Sequence, residues 1–191
     1  FASDAVKMGV AFDQTADEAG QMMATWRTAF KMGQGDVNKL ADQVNYLGNT
    51  GPASAKKISS VVTSIGPLGA VAGLASGQIA AMGATLIGMG TAEEVAATGM
   101  KNFMLSLTAG ASATKSQQET FKALRLDAKQ VATGMQKDSE GTITRVLTAV
   151  SKVDKAKQAA VLSSLFGKES IGAIAPLLTN LDLPKANFEK V

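Results

Sequence analysis

The chain has 191 residues, a net charge of +3, and neither cysteine nor histidine. Without cysteine there can be no disulfide or thiolate metal ligand, and without histidine the commonest metal ligand and the usual general base near neutral pH are missing. Apolar residues make up 46% of the chain but aromatic residues only 5%, which favours thin Ala-, Val-, Leu- and Met-filled layers between helices over one bulky core.

Residues 1–52 predict three amphipathic helices. Thr15 and Glu18 have the spacing of a capping box, in which each side chain satisfies a free amide at the start of a helix. The helix that follows places Trp26 inward, and the next helix carries an apolar stripe at helical spacing from Val37 to Leu47. Gly and Pro residues between Gly48 and Pro52 predict a turn.

Residues 53–114 contain the most unusual stretch, because there is no charged residue between Ile58 and Ala92. Pro67 blocks an unbroken helix, and Gly recurs at every fourth position from Gly69 to Gly77. We therefore predict two close-packed helices joined by a break near Leu74–Ser76 rather than a membrane span. Small residues let backbones approach closely, so this hairpin is also the predicted contact between copies of the chain. The candidate self-association residues are Gly69, Gly73, Gly77, Ile79, Met82 and Leu86.

Residues 115–191 predict further short helices. Ser116 and Glu119 have the capping-box spacing, as do Thr91 and Glu94 in the preceding part. Pro176 is expected to bend a late helix. The polar runs Asp138–Gly141 and Asn180–Pro184 predict loops. In total we expect an all-α fold of about ten short amphipathic helices packed through Ala- and Gly-rich faces, with no sheet. The three parts are predicted to form one continuous helical region of a longer chain.

Several segments, taken in order, resemble the core region of phage tail tape measure proteins. The strongest are GLASGQIAAMGATLIGMGTAEEVAATGMKNFMLSL (Gly73 to Leu107) and AVLSSLFGKESIGAIAPLL (Ala160 to Leu178). The first is similar to the family's Gly-Leu helix start, Ala-rich helix, Gly break and acidic helix start. The second is similar to its Leu-Phe-Gly and Pro-Leu-Leu ending. Phe12 to Phe30 and Ala41 to Thr50 also resemble the family.

The resemblance implies a structural virion protein that runs in the lumen of the tail tube, sets tail length and is released during DNA ejection, rather than an enzyme. The sequence has no D-x-D-x-D-G calcium loop, so no metal or cofactor is expected. Its basic residues are concentrated only at Lys56–Lys57 and at Lys152, Lys155 and Lys157, which is more typical of a solvated face, so no specific nucleic acid is expected. The implied partners are other copies of the chain in a low-order homo-oligomer, the tail tube protein, baseplate or tail-tip hub proteins, tail assembly chaperones and, during ejection, the host membrane. Synthesis is expected in the host cytoplasm. Because no long heptad pattern is present, we expect a folded segment that flanks the ruler, the long helical part whose length sets that of the tail.

Three alternatives remain at this stage. The uncharged stretch could form a membrane-active or channel-lining segment. Ser59 or Ser60 beside Lys56 and Lys57 is the one nucleophile–base pairing worth naming, although such serines are usually caps or solvated surface. The third alternative is a soluble all-α adaptor or chaperone-like interaction module unrelated to phage, because composition and periodicity alone indicate no more than a soluble α-helical interaction domain.

Overall fold

The computed structural model describes residues 1–191 and contains α-helices joined by turns, with no β-strand, which confirms the all-α prediction. There are thirteen helices rather than about ten, partly because α5 and α12 are single turns of four residues. The helices are α1 (Ala2–Phe12), α2 (Ala16–Ala29), α3 (Gln34–Asn49), α4 (Ala55–Ile65), α5 (Leu68–Val71), α6 (Ser76–Gly88), α7 (Glu93–Thr108), α8 (Lys115–Ala123), α9 (Ala128–Lys137), α10 (Ser139–Ser151), α11 (Lys155–Phe166), α12 (Ile171–Ile174) and α13 (Asp182–Phe188).

Helix α6 lies at the centre of the fold and packs against α3, α4, α7 and α13. Every residue from Ile79 to Ile87 is buried. A helix enclosed on all sides has no polar face, and a charged side chain on it would lose its hydration without a compensating partner. The lack of charge along this part of the chain is therefore explained by burial within the protein itself.

The break predicted in the uncharged stretch is present. Helix α4 ends at Ile65, and Gly66 follows with a φ of 55°. Pro67 then precedes the single turn α5, and α6 begins at Ser76. Because α4 and α6 pack against each other, the stretch forms a hairpin with α5 inside its connection.

The N-terminal pair α1 and α2 is joined by a turn in which Asp13 adopts a left-handed conformation, with φ 55°. The predicted capping box is formed: the Thr15 amide donates to Glu18 Oε2 at 2.8 Å, and the Glu18 amide donates to Thr15 Oγ1 at 3.1 Å. Further along α2, Trp26 is fully buried and its indole Nε1 donates to Thr63 Oγ1 of α4 at 2.9 Å. This bond ties the N-terminal pair to the central hairpin.

Helices α8 to α11 form a ring in which each helix packs against two of the other three. Helix α7 connects the ring to the centre, since it contacts α4 and α6 on one side and α9 and α11 on the other. One continuous core of 44 buried residues, from Ala5 to Phe188, runs through the centre and the ring.

Two of the predicted capping boxes are wrong. Helix α7 begins after Ala92, which has no side chain to cap it, and Glu93 and Glu94 lie in its first turn. There they stabilise the helix by their charge, because the N-terminal end of a helix dipole is positive. At α8 the box is formed two residues before the predicted one, by Thr114 and Gln117.

The predicted loop at Asp138–Gly141 is wrong, and the one at Asn180–Pro184 is confined to Asn180 and Leu181. Asp138 ends α9 and also caps α10, since its Oδ1 accepts from the Gly141 amide at 3.0 Å, so the two helices meet without a loop. Residues 182–188 form α13, with Pro184 in its first turn, where a missing amide proton costs no helical hydrogen bond. At Pro176 the helix changes from α12 to a 3-10 turn, Ala175–Thr179, and a bend at this residue stays a prediction.

Candidate packing and interaction surfaces

The six candidate self-association residues lie on α5 and α6 or in the turn between them. All but Gly73 are buried, and Gly73 is partly exposed with a φ of 83°. Their neighbours belong to the same chain. A β-carbon on Gly69 would collide with the Ile79 side chain, one on Gly73 with the carbonyl oxygen of Met135, and one on Gly77 would lie 2.8 Å from the amide of Gln43.

Small residues at these positions thus allow close approach, as the sequence indicates, and the approach is between helices of one chain. Self-association through them stays a prediction. Because Ile79, Met82 and Leu86 are at most 2% exposed, contact with another copy through these side chains requires the hairpin to open first.

The C-terminal helix α13 covers one side of α6, a contact that the sequence did not indicate. Asn187 Nδ2 donates to Thr85 Oγ1 at 2.9 Å in a buried position. Thr85 Oγ1 in turn donates to the Ala81 carbonyl at 2.8 Å, so this hydroxyl both accepts and donates a hydrogen bond. At the edge of the contact, Gln43 Nε2 donates to the Val191 carbonyl and Lys190 Nζ to the Thr50 carbonyl. A gap of about 90 Å³ remains between α13 and the α3–α4 turn.

An open cleft of about 720 Å³ lies on the ring between α8 and the start of α9. Three lysines line it, Lys115, Lys122 and Lys129, together with Glu119 and Asp127. Lys115 Nζ lies 3.9 Å from Glu119 Oε1, but both side chains are largely exposed, so the pair adds little stability. This grouping of lysines could not be predicted from the sequence, because they are seven residues apart and lie on two helices.

Large apolar side chains are exposed singly over the surface, except on α1, where Val6 is 55% and Val10 82% exposed one turn apart. Isolated exposed apolar residues are normal on soluble surfaces. The others are Phe1, Tyr46, Val71, Val95 and Leu105.

Of the two serines named beside Lys56 and Lys57, Ser59 does not have the geometry of a nucleophile with a lysine base, and a role for Ser60 stays a prediction. Ser59 is fully buried, and its hydroxyl donates at 2.7 Å to the backbone carbonyl of Lys56 rather than to a lysine amine. Ser54, in the same region, caps α4 by accepting from the Lys57 amide. These serines satisfy the backbone of α4.

Glu18 is a titratable group whose environment alters its acidity. Its pKa is lowered, chiefly by the hydrogen bond from the Thr15 backbone amide and also by the Thr15 side chain, against a smaller opposing effect of desolvation. The charge of nearby Lys56 acts in the same direction as the hydrogen bonds. The perturbation belongs to the helix cap described above.

No single helix is long and apolar enough to cross a membrane. Two neighbouring helical segments, Lys155–Phe166 and Lys168–Thr179, are long and apolar enough only when they are taken together. Their axes differ by 115°.

The fold and its surfaces define a helical packing module in which polar side chains serve as helix caps and interhelical hydrogen bonds. A family model described as phage-related minor tail protein matches residues 1–167, so the chain belongs to that family and is a component of a phage tail. The chain is also 38% identical, over all 191 residues, to a probable tape measure protein of Halomonas phage phiHAP-1. It spans 22% of the length of that relative. No solved structure matches the chain.

Proposed function

We propose that this chain is a folded segment of a tape measure protein, which runs in the lumen of the tail tube, sets tail length and is released during DNA ejection. The observation that carries the proposal is the 38% identity to a probable tape measure protein along the whole of this chain. The phage-related minor tail family to which the chain belongs supports the same role.

The fold supports separate roles for the part of such a protein that sets tail length and for this folded segment. A ruler needs length, which a continuous α-helix supplies at about 1.5 Å per residue. The longest helices here, α3 and α7, have only 16 residues and are folded back into a common core. We therefore propose that this segment is a folded unit beside the ruler, with a structural rather than an enzymatic role.

As a tail component, the chain makes contact with other tail proteins. We propose that these include the tail tube protein, baseplate or tail-tip hub proteins and the assembly chaperones, together with other copies of the chain. The host membrane is a further proposed partner during ejection, and engaging it through the uncharged hairpin would require α13 and α3 to release α6.

The proposal is tested in the phage that encodes this chain. In-frame deletions in long helical segments of the same gene should shorten the tail by about 1.5 Å per residue removed, measured by electron microscopy. Trp26→Ala, which empties a fully buried site, should instead reduce the number of tails without changing the length of those that form. Gln21→Ala, on the exposed face of the same helix, is the matched control. Tails of unaltered length after the helical deletions would contradict the proposed role.

A further inference from the structure

The positive charge of the chain is concentrated on the ring of helices from α8 to α11, Lys115–Phe166, here termed the basic ring. It holds nine of the nineteen basic residues but only five of the sixteen acidic ones, which gives it a net charge of +4. The remainder of the chain has a net charge of −1. All nine basic side chains are exposed: Lys115, Lys122, Arg125, Lys129, Lys137, Arg145, Lys152, Lys155 and Lys157.

The acidic side chains of the basic ring are mostly engaged by the chain itself. Asp127 and Asp138 each accept a hydrogen bond from a helix-starting amide, at 2.9 and 3.0 Å. Glu140 accepts from Gln78 Nε2 at 2.9 Å, and Glu119 lies beside Lys115. Among the nine cations only Lys115 has a carboxylate partner within 4.0 Å. Eight cations are therefore available to an external anion.

Three of the cations converge. Lys115 and Lys122 on α8 and Lys129 on α9 line the open cleft of about 720 Å³, so their charges face one volume of solvent. Glu119 and Asp127 line it too, so the cleft keeps a net charge of +1, and the bond from the Gln130 backbone amide orients the Asp127 carboxylate without neutralising it. Cations grouped around a concave surface reinforce one another's potential and attract anionic ligands.

The apolar surface distinguishes between the classes of anionic partner. None of the exposed large apolar side chains lies in the basic ring. Docking to a protein relies on buried apolar or aromatic anchors, and binding at a membrane surface relies on an apolar face that enters the lipid. Contact with a nucleic-acid backbone requires neither, because phosphates are recognised by cations and hydrogen-bond donors alone.

We propose that the basic ring, centred on the cleft of Lys115, Lys122 and Lys129, binds the phosphate backbone of double-stranded nucleic acid without reading its sequence. A duplex is favoured over a single strand because single strands are held by stacking on exposed rings. The aromatic residues of the ring, Phe121 and Phe166, are buried. This inference goes beyond the role in tail length and does not depend on it.

The test uses the 191-residue chain and a fluorescently labelled DNA duplex of about 30 base pairs, with binding followed by anisotropy between about 50 and 200 mM salt. We expect a dissociation constant that is micromolar at low salt and rises steeply with salt. The variant Lys115→Gln/Lys122→Gln/Lys129→Gln should bind about tenfold or more weakly, and its salt slope should fall by roughly 2 to 3.

The control variant is Lys7→Gln/Lys39→Gln/Lys57→Gln, which removes three exposed lysines outside the basic ring. It reaches the same net charge as the cleft variant and should keep most of the affinity. Equal losses in the two variants would overturn the proposal, because net charge alone would then explain binding. Absence of duplex binding at low salt, or binding only to phosphatidylserine-containing vesicles, would overturn it as well. Circular dichroism and Trp26 fluorescence verify that both variants are folded.

Discussion

The δ-methyl group of Ile79 occupies the place that a β-carbon on residue 69 would need, so α5 lies against α6 only because residue 69 is glycine. Gly69→Ala should lower the free energy of unfolding by about 1 to 3 kcal/mol through overpacking. Ile79→Val, which removes that methyl group, should cost about 0.5 to 1.5 kcal/mol alone, and the double variant should be less destabilised than the sum of the two. Urea unfolding measures all three values.

A second glycine supplies the control for this prediction. Gly35 lies in the first turn of α3, and a β-carbon at this position would have no neighbouring atom within 4 Å. Gly35→Ala should therefore stabilise the protein, by about 0.4 to 1 kcal/mol, because it restricts the unfolded chain without a clash. If both glycine variants were destabilised equally, the close approach of α5 and α6 would not be the cause.

The bond from Asn187 to Thr85 should hold α13 on α6. Thr85→Val keeps the volume but leaves the Asn187 amide buried without an acceptor, at a cost of about 1 to 3 kcal/mol. Asn187→Ala should cost less, about 1 kcal/mol, because the Thr85 hydroxyl keeps its bond to the Ala81 carbonyl. Hydrogen exchange should show faster exchange of α13 amides in both variants.

The control for this contact lies on α13 itself. Lys185 is exposed, and Lys185→Ala should change stability by less than about 0.5 kcal/mol. A double-mutant cycle of Thr85→Val and Asn187→Ala should give a coupling free energy of about 0.5 kcal/mol or more. Additive effects would mean that the two side chains do not stabilise each other.

Trp26 is the sole tryptophan, and its buried indole offers a direct optical measure of the contact between α2 and α4. Thr63→Val removes the acceptor of the indole N–H and should destabilise the protein by about 1 to 3 kcal/mol. It also removes the bond from the Thr63 hydroxyl to the Ser59 carbonyl. Thr25→Val is the matched control, since Thr25 bonds to the Gln21 carbonyl in the same way but is exposed and its side chain makes no hydrogen bond to the indole. Equal losses in the two variants would assign the effect to helix propensity.

The helical class and the central hairpin could be predicted because they depend on patterns that extend over many residues. A stretch of 35 residues without charge has few stable arrangements in water, and Pro67 fixes where its helix must stop. Helix starts were predicted less well because they depend on single residues. Thr15 was correctly identified, but near α8 two overlapping candidates occur, and the structure uses Thr114 rather than Ser116.

The contacts of the candidate self-association residues could not be predicted from the sequence, for a different reason. A small residue such as Gly69 indicates that another element packs closely against it, but its spacing carries no information on which chain supplies that element. Asn187 could not be singled out either, because its partner Thr85 is 102 residues away and neither residue lies in a recognisable motif. The lysines of the cleft are likewise dispersed along the sequence and meet only through the packing of α8 on α9.

The cap of α2 should make stability depend on pH through Glu18. Its folded-state pKa is lowered, chiefly by the bond from the Thr15 amide, so ionised Glu18 contributes stability above its unfolded pKa. That contribution is lost as the pH falls through the folded pKa. Glu18→Gln can still accept the Thr15 bond but does not titrate. The variant should therefore be less stable than the wild type at neutral pH, and the difference should shrink steadily as the solution is acidified below the ordinary glutamate pKa. Urea unfolding followed by Trp26 fluorescence at a series of pH values measures this difference. A deficit that stays constant on acidification would show that the charge of Glu18 does not act through the cap.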